Sequence, residues 1–330
     1  MRKTLLLMAL AAFTAGSLAA ADTTTRTFDA TYTATINNLP TGAGVLDVWI
    51  PLPVTREEQI ISDVKIDSPY DWKEGVEGEF GDHYAFARIP VPQTGQITVR
   101  VQFTGTRRPV EFQRISDVAP TAGELQRALK ADKLVTVSPR IHKLTRKITS
   151  GKQTTLDQAQ AIYEYVVTHM KYDKTIPGWG HGDTERACDI HAGNCTDFHS
   201  LFISLARARG IPARFAIGFP LPKTSDGTIS GYHCWAEFYL KGRGWIPVDA
   251  SEASQSSDPA VRAFLFGNQS TDRVEFTRGR DLVLSPKTSE PVNFLIYPRV
   301  ELHGKAVGNM SLSLQVHDRK GGEGMSTSMQ

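Results

Sequence analysis

Apolar and polar positions alternate strictly at the start of the chain's foldable part. Phe28, Ala30, Tyr32, Ala34 and Ile36 carry Asp29 and threonines between them. This is the period-two pattern of a strand buried on one face. Ile97, Val99, Val101 and Phe103 repeat it, and the turn-forming run Leu39-Pro40-Thr41-Gly42 separates such stretches. Residues 22–115 therefore predict an N-terminal antiparallel, β-sandwich-like domain. After about Thr121 the spacing becomes helical. Thr155 with Gln158 three residues on reads as a capping box, and Leu156, Ala159, Tyr163, Val166 and Met170 then fall on one helix face.

The stretch from Gly193 to Gly210 predicts a second helix with both ends specified. Asn194 is a good N-cap, and Asp197 sits in the first turn near the positive end of the dipole. Arg207 and Arg209 occupy the last turn, Gly210 supplies the left-handed stop, and Pro212 cannot continue the helix. Cys195 is then the first residue inside the helix. Strands follow over Arg214 to Phe219, Tyr232 to Leu240 and Gly244 to Ala250, and the pattern beyond Ser251 is again strand-like, with Leu312, Leu314 and Val316 alternating. The fold class is α+β: the N-terminal β domain, a core over 116–255 and a C-terminal β segment over 256–318. A Gly/Ser/Met-rich tail, 319–330, is expected to be disordered.

The first 21 residues are set apart. Arg2 and Lys3 precede an apolar run from Leu5 to Ala15, and Ala19-Ala20-Ala21 offers a small-residue cleavage site. A signal peptide is expected, a retained anchor being the alternative, and no later run reaches the roughly 18 apolar residues of a span. The mature protein is expected to be exported, periplasmic or extracellular, with no stable membrane insertion after cleavage. A net charge of +2 gives no field that would favour nucleic acid.

Three cysteines remain, Cys188, Cys195 and Cys234. An odd count in an exported chain leaves at least one thiol outside any internal bridge. A helix N-terminus stabilises a thiolate against unpaired backbone N–H groups, so Cys195 stands where a nucleophile would. The strand Tyr232-His233-Cys234-Trp235-Ala236-Glu237-Phe238 offers a histidine, and Gly244-Trp245-Ile246-Pro247-Val248-Asp249 ends in a carboxylate. The turn Lys241-Gly242-Arg243-Gly244 joins them as a hairpin. Nucleophile, base and orienting carboxylate are the members of a catalytic triad. A parity condition follows. Opposed residues of an antiparallel pair share a face and have a constant position sum. His233 and Asp249 share one only if that sum is even, which requires an odd-length loop or a bulge.

The strings GNCTDFHSLFISLARARGIPARF, YHCWAEFYL and GWIPVDASEA resemble the transglutaminase-like core of the papain-like superfamily, over roughly 162–252. The resemblance implies a helix-borne cysteine packed on an antiparallel sheet, in an exported bacterial type of the family. It implies Cys195 as nucleophile, His233 as general base and acid, and Asp249 as the residue orienting the imidazole. The expected activity is thiol-dependent acyl transfer on a peptide or protein substrate, with hydrolysis (peptidase or amidase) preferred. Protein-glutamine cross-linking and a non-catalytic peptide-binding module are the alternatives. No cofactor is expected, and no clustered Asp/Asn loop suggests calcium.

Other residues have expected places around this centre. Trp179 and Tyr172 are candidates for the side chain completing an oxyanion hole, as an upstream residue does in the family. His199, one turn below Cys195, is expected to support rather than react, and Trp235 to shield the histidine. A zinc site from His191, Cys195 and His199 would leave His233 and Asp249 without a purpose. The cluster Asp272, Arg273, Arg278, Arg280 and Asp281 is either a salt-bridged surface or a substrate contact. If Cys234 points away from His233's face, Cys188 can approach it from behind, and a Cys188–Cys234 disulfide is expected.

Overall fold

The computed structural model describes residues 25–42, 44–115 and 119–319. The expected signal peptide and residues 320–330 of the tail lie outside the described residues. Three antiparallel sheets organise the chain. One runs, edge to edge, Asp226–Ser230, Asn309–Asp318, Arg26–Asn37, Ile97–Arg107 and Gln59–Asp67. A second runs Lys305–Ala306, Arg299–Leu302, Val45–Leu52, His83–Pro90 and Lys73–Val76. The alternation at residues 28–36 is real burial: Tyr32, Ala34 and Ile36 are wholly inside, while the threonines between are partly exposed.

The C-terminal segment does not stand alone. Asn309–Asp318 pairs with Arg26–Asn37, and Arg299–Leu302 pairs with Val45–Leu52, so it completes both N-terminal sheets. Period-two burial tells that a segment is a strand, but not which partner it finds. The residues from 250 to 264 also differ from the strand-like expectation. Asp249 caps a helix over Ala250–Ser254, and Asp258 caps another over Pro259–Phe264 with proline at its start. An Asp-Pro pair is a helix-start signal, since proline's missing N–H costs nothing there.

The third sheet carries the site. Its order is Gly244–Val248, His233–Leu240, Ala213–Pro220, Arg273–Arg278. The helix Cys195–Ala208 packs on one face, where the rings of Phe202 and Phe238 lie 6.3 Å apart. Against the β sandwich, Tyr32 meets Phe219 and Phe276 at 5.9 and 5.4 Å, and Phe103 meets Phe276 at 5.8 Å. The N-terminal sandwich and the core thus share one continuous apolar interior. The helix Thr155–His169 starts one residue earlier than the sequence suggested: Thr154 is the cap and accepts from Asp157 N.

Candidate active site

The start of the Cys195 helix is built around one buried carboxylate. The Asn194 side chain accepts from Thr196 N at 2.9 Å, and Asp197 accepts from Asn194 N at 2.9 Å. The same Asp197 carboxylate accepts from Gly180 N at 2.7 Å and Gly182 N at 3.1 Å. It therefore ties the loop from Thr175 to Gly182 across the helix end that holds Cys195. This gives the glycine two residues before the cysteine a physical reason. A Cβ on Gly193 would stand 2.1 Å from Asp197 Oδ2. Gly193→Ala is expected to turn Asp197 out of place and orphan buried N–H groups. The cost is on the order of 2–4 kcal/mol, to be read by chemical denaturation against Gly210→Ala, which has open space at its Cβ but a positive φ.

The hairpin closes as the parity condition requires. Leu240 pairs with Gly244, leaving Lys241, Gly242 and Arg243 as a three-residue loop, with Gly242 and Gly244 at φ +79° and +88°. Ala236 pairs with Val248. Extending that register sets Asp249 opposite Trp235, on the face that also carries His233.

Cys195, His233 and Asp249 meet at the end of this sheet. His233 Nε2 lies 2.6 Å from Asp249 Oδ2, which leaves Nδ1 for the sulfur. Cys195 is 1% exposed, and its sulfur hydrogen-bonds with the His233 ring. Asp249 Oδ1 accepts from Ser251 Oγ at 3.0 Å and from Glu252 N at 2.9 Å. Arg273 Nη1 stands 2.6 Å from Oδ2, and its other nitrogen pairs with Glu252. So this carboxylate is oriented by a helix cap, a serine, an arginine and the imidazole together.

Electrostatics follow from these contacts. Burial alone would push the Cys195 thiol up, but hydrogen bonds from Cys234 and His233 and the imidazolium charge bring it well below the ordinary thiol range. Burial would also discharge His233. The Asp249 charge and hydrogen bond outweigh it and raise the ring to about 9, with Arg273 pulling the other way. Asp249, buried yet facing His233 and Arg273, is held well below its usual value. Both shifts favour the thiolate–imidazolium form of the pair.

The remaining expectations sort themselves around this centre. His199 is fully buried under it, with Nε2 accepting from Ala250 N at 3.1 Å and Nδ1 lying 3.7 Å from Cys234 Sγ. The same Nε2 lies 3.5 Å from Asp249 Oδ1. Trp235 is fully buried beneath the Arg273 guanidinium, 5.6 Å from the ring centre. Tyr172 is half-buried, and burial followed by the charge of Cys195 raises its hydroxyl, which stays protonated as a donor. Trp179 is 38% exposed on the loop, with Lys174 over its ring at 6.0 Å.

The arginines of the charged cluster are not on the surface. Arg273, Arg278 and Arg280 are all buried. Arg280 donates to Ser200 Oγ at 2.6 Å and His181 O at 2.9 Å, bracing the helix and loop, while Arg278 pairs with Glu275 and Glu58. Asp272 pairs with Arg26, and Asp281 accepts from Lys133 N. Among the described residues, two carboxylate-containing groups are spaced for a cation, His233/Asp249/Glu252 and Glu58/Glu237/Glu275. Arg273 already balances the first and Arg278 the second.

The expected Cys188–Cys234 disulfide is not formed, and all three cysteines are free. Cys234 points at the Cys195 helix, with Thr196 Oγ1 at 3.8 Å and His199 Nδ1 at 3.7 Å. The error lay in taking the helix to cover the His233 face. It covers the other face, carrying Cys234, Ala236 and Phe238, and His233 reaches Cys195 from the strand's first position. Cys188 sits apart on Thr184–Ile190.

A cysteine at a helix start, packed on an antiparallel sheet beside a histidine that a carboxylate holds, defines a papain-like thiol centre. Residues 142–250 match the family model of the transglutaminase-like superfamily. An uncharacterized protein of Haemophilus influenzae is 29% identical over 307 residues, 81% of this chain and 83% of the relative. The uncharacterized protein YebA of Bacillus subtilis is 23% identical over 128 residues, 34% of this chain and 17% of that protein. A solved structure from Cytophaga hutchinsonii, described as a candidate cysteine protease, superposes with a TM-score of 0.63 at 15% identity, covering 90% of this chain and 98% of that one. That likeness is one of fold. Among the described residues no helix is long and apolar enough to cross a membrane.

Sequence reasoning missed Arg273 as the partner of Asp249 and Cys234 as a neighbour of the nucleophile. No local signal marks Arg273, which arrives from a strand that sequence alone does not place. Tyr232 was also passed over. Its hydroxyl accepts from Asn194 Nδ2 at 2.9 Å and contacts Thr196 Oγ1 at 3.0 Å, bracing the helix start.

Proposed function

We propose that this protein is an exported thiol hydrolase acting on peptide or protein amide bonds. The observation that carries the reading is the line Cys195–His233–Asp249, with Asp249 Oδ2 on one ring nitrogen at 2.6 Å and the sulfur on the side of the other. The Cys195 thiolate attacks the carbonyl carbon. The oxyanion that forms is stabilised by the Cys195 backbone N–H at the helix start and by the Tyr172 hydroxyl, in preference to Trp179. The His233 imidazolium gives its proton to the leaving amine, leaving a thioester on Cys195 and a neutral ring. Neutral His233 then takes a proton from water as it attacks the thioester, releasing the acid and restoring the pair. Asp249, fixed by Arg273, Ser251 and the Glu252 N–H, keeps the ring in the orientation both steps require.

Water is the expected second acceptor. Incubating the protein with glutamine-containing and ordinary peptides, with and without a primary amine, tests this. The expected outcome is hydrolysed product whose yield the amine does not divert. Amine incorporated into a glutamine side chain in place of hydrolysis would make it a cross-linker instead.

A further inference from the structure

The second thiol at the centre hydrogen-bonds the nucleophile but gains or loses no bond in the reaction above. Cys234 is fully buried, and its sulfur is in contact with three polar groups besides its own backbone: Thr196 Oγ1 at 3.8 Å, His199 Nδ1 at 3.7 Å and the Cys195 sulfur. Thr196 and His199 flank Cys195 on its helix, so these contacts set the Cys234 sulfur beside the nucleophile, with which it hydrogen-bonds. Two thiols thus lie against each other, one an anion and one a thiol.

We propose that Cys195 and Cys234 form a reversible disulfide when the protein meets a hydroperoxide, a modification site in which Cys234 resolves the oxidised nucleophile. The Cys195 thiolate attacks the O–O bond and becomes a sulfenic acid, and the remaining oxygen of the peroxide leaves as water or an alcohol after taking a proton. Cys234 then attacks the sulfenic sulfur. The S–S bond forms as the S–OH bond breaks, and the departing hydroxide takes the Cys234 proton as water. The two sulfurs lose two electrons together, and the hydroperoxide gains them.

Three features of the site favour this course. A thiolate is the reactive form toward peroxide, and Cys195 is one. A hydroperoxide is smaller than an amide substrate and need only reach the same sulfur. Burial and then the neighbouring Cys195 keep the Cys234 thiol protonated in the reduced state, and conversion of Cys195 to a neutral sulfenic acid removes that opposing charge when Cys234 must attack. Cys188, near Arg140 on a separate helix, takes no part. The proposal requires only a reactive Cys195 thiolate, whichever bond that thiolate attacks in a substrate.

The test uses the reduced full chain and one equivalent of hydrogen peroxide at neutral pH, followed by alkylation and peptide mapping. Free thiols are expected to fall from the three in the sequence to one. That one is Cys188, the peptides bearing Cys195 and Cys234 become cross-linked, and a dithiol reductant restores Cys195 labelling. In Cys234→Ser given two or more equivalents, the first peroxide is expected to make the Cys195 sulfenic acid and a second to carry it on to sulfinic acid, which the reductant does not reverse. A wild-type map with Cys195 as sulfinic acid beside a free Cys234 thiol, or a bridge involving Cys188, overturns the proposal. That map decides by itself if Cys234→Ser does not fold.

Discussion

Cys195→Ala is expected to abolish amide hydrolysis, and His233→Ala to reduce it by at least about a thousandfold, the scale on which losing a member of a nucleophile–base pair acts. Labelling by iodoacetamide separates the two roles. Wild-type Cys195 is expected to react far below the pH at which a free thiol ionises, because its thiolate persists there. In His233→Ala the reactivity is expected to shift to higher pH, since the Cys234 hydrogen bond remains but the imidazolium and its hydrogen bond are gone. The hydrolysis profile has a second limb. His233 is raised to about 9, so the proton needed by the leaving amine is present below that pH and lost as pH rises through it. Hydrolysis is expected to fall on that alkaline side while alkylation, which needs only the thiolate, does not. A wild-type Cys195 that alkylates no faster than free cysteine at pH 6, or with the same pH dependence in His233→Ala, removes the ion pair on which the mechanism rests.

Much of this centre could be read from local pattern because its parts are set by local rules. Asn194 and Asp197 cap a helix by side-chain bonds within three residues, so the sequence places Cys195 at the helix start without reference to the fold. The glycines at 242 and 244 set an odd loop, and loop length alone decides which residues of the hairpin share a face. What was not legible depends on contacts between distant segments. Arg273 reaches Asp249 because the strand Arg273–Arg278 pairs beside Ala213–Pro220, a long-range neighbour relation that no periodicity encodes. Cys234 was placed on the wrong side for a related reason. Alternation separates His233 from Cys234 but does not say which of the two faces the helix covers. The two C-terminal strands likewise close the N-terminal sheets through pairings almost the length of the chain apart.

Asp249→Asn separates orientation from charge, because the amide keeps the shape and can still accept from Ser251 and Glu252 while losing the negative charge. His233 then loses the largest influence raising it, and the charge of Arg273 is left facing it with only Glu252 to balance. The ring is expected to discharge at a lower pH and the thiolate to lose its counter-ion. Hydrolysis should drop by roughly 10²–10⁴-fold, the range between weakening a base and misorienting it. Stability falls as well. The Arg273 guanidinium is buried, and removing one partner of such a pair costs on the order of 3–5 kcal/mol. Arg273→Met in the same background removes that orphaned cation. It is expected to recover a good part of the stability and none of the hydrolysis, since Arg273 positions Asp249 and touches no reacting atom. Denaturant melts and rate measurements on the two single variants and the double variant read both quantities. If Asp249→Asn kept wild-type hydrolysis with an unchanged alkaline limb, Asp249 would be a helix cap and nothing more.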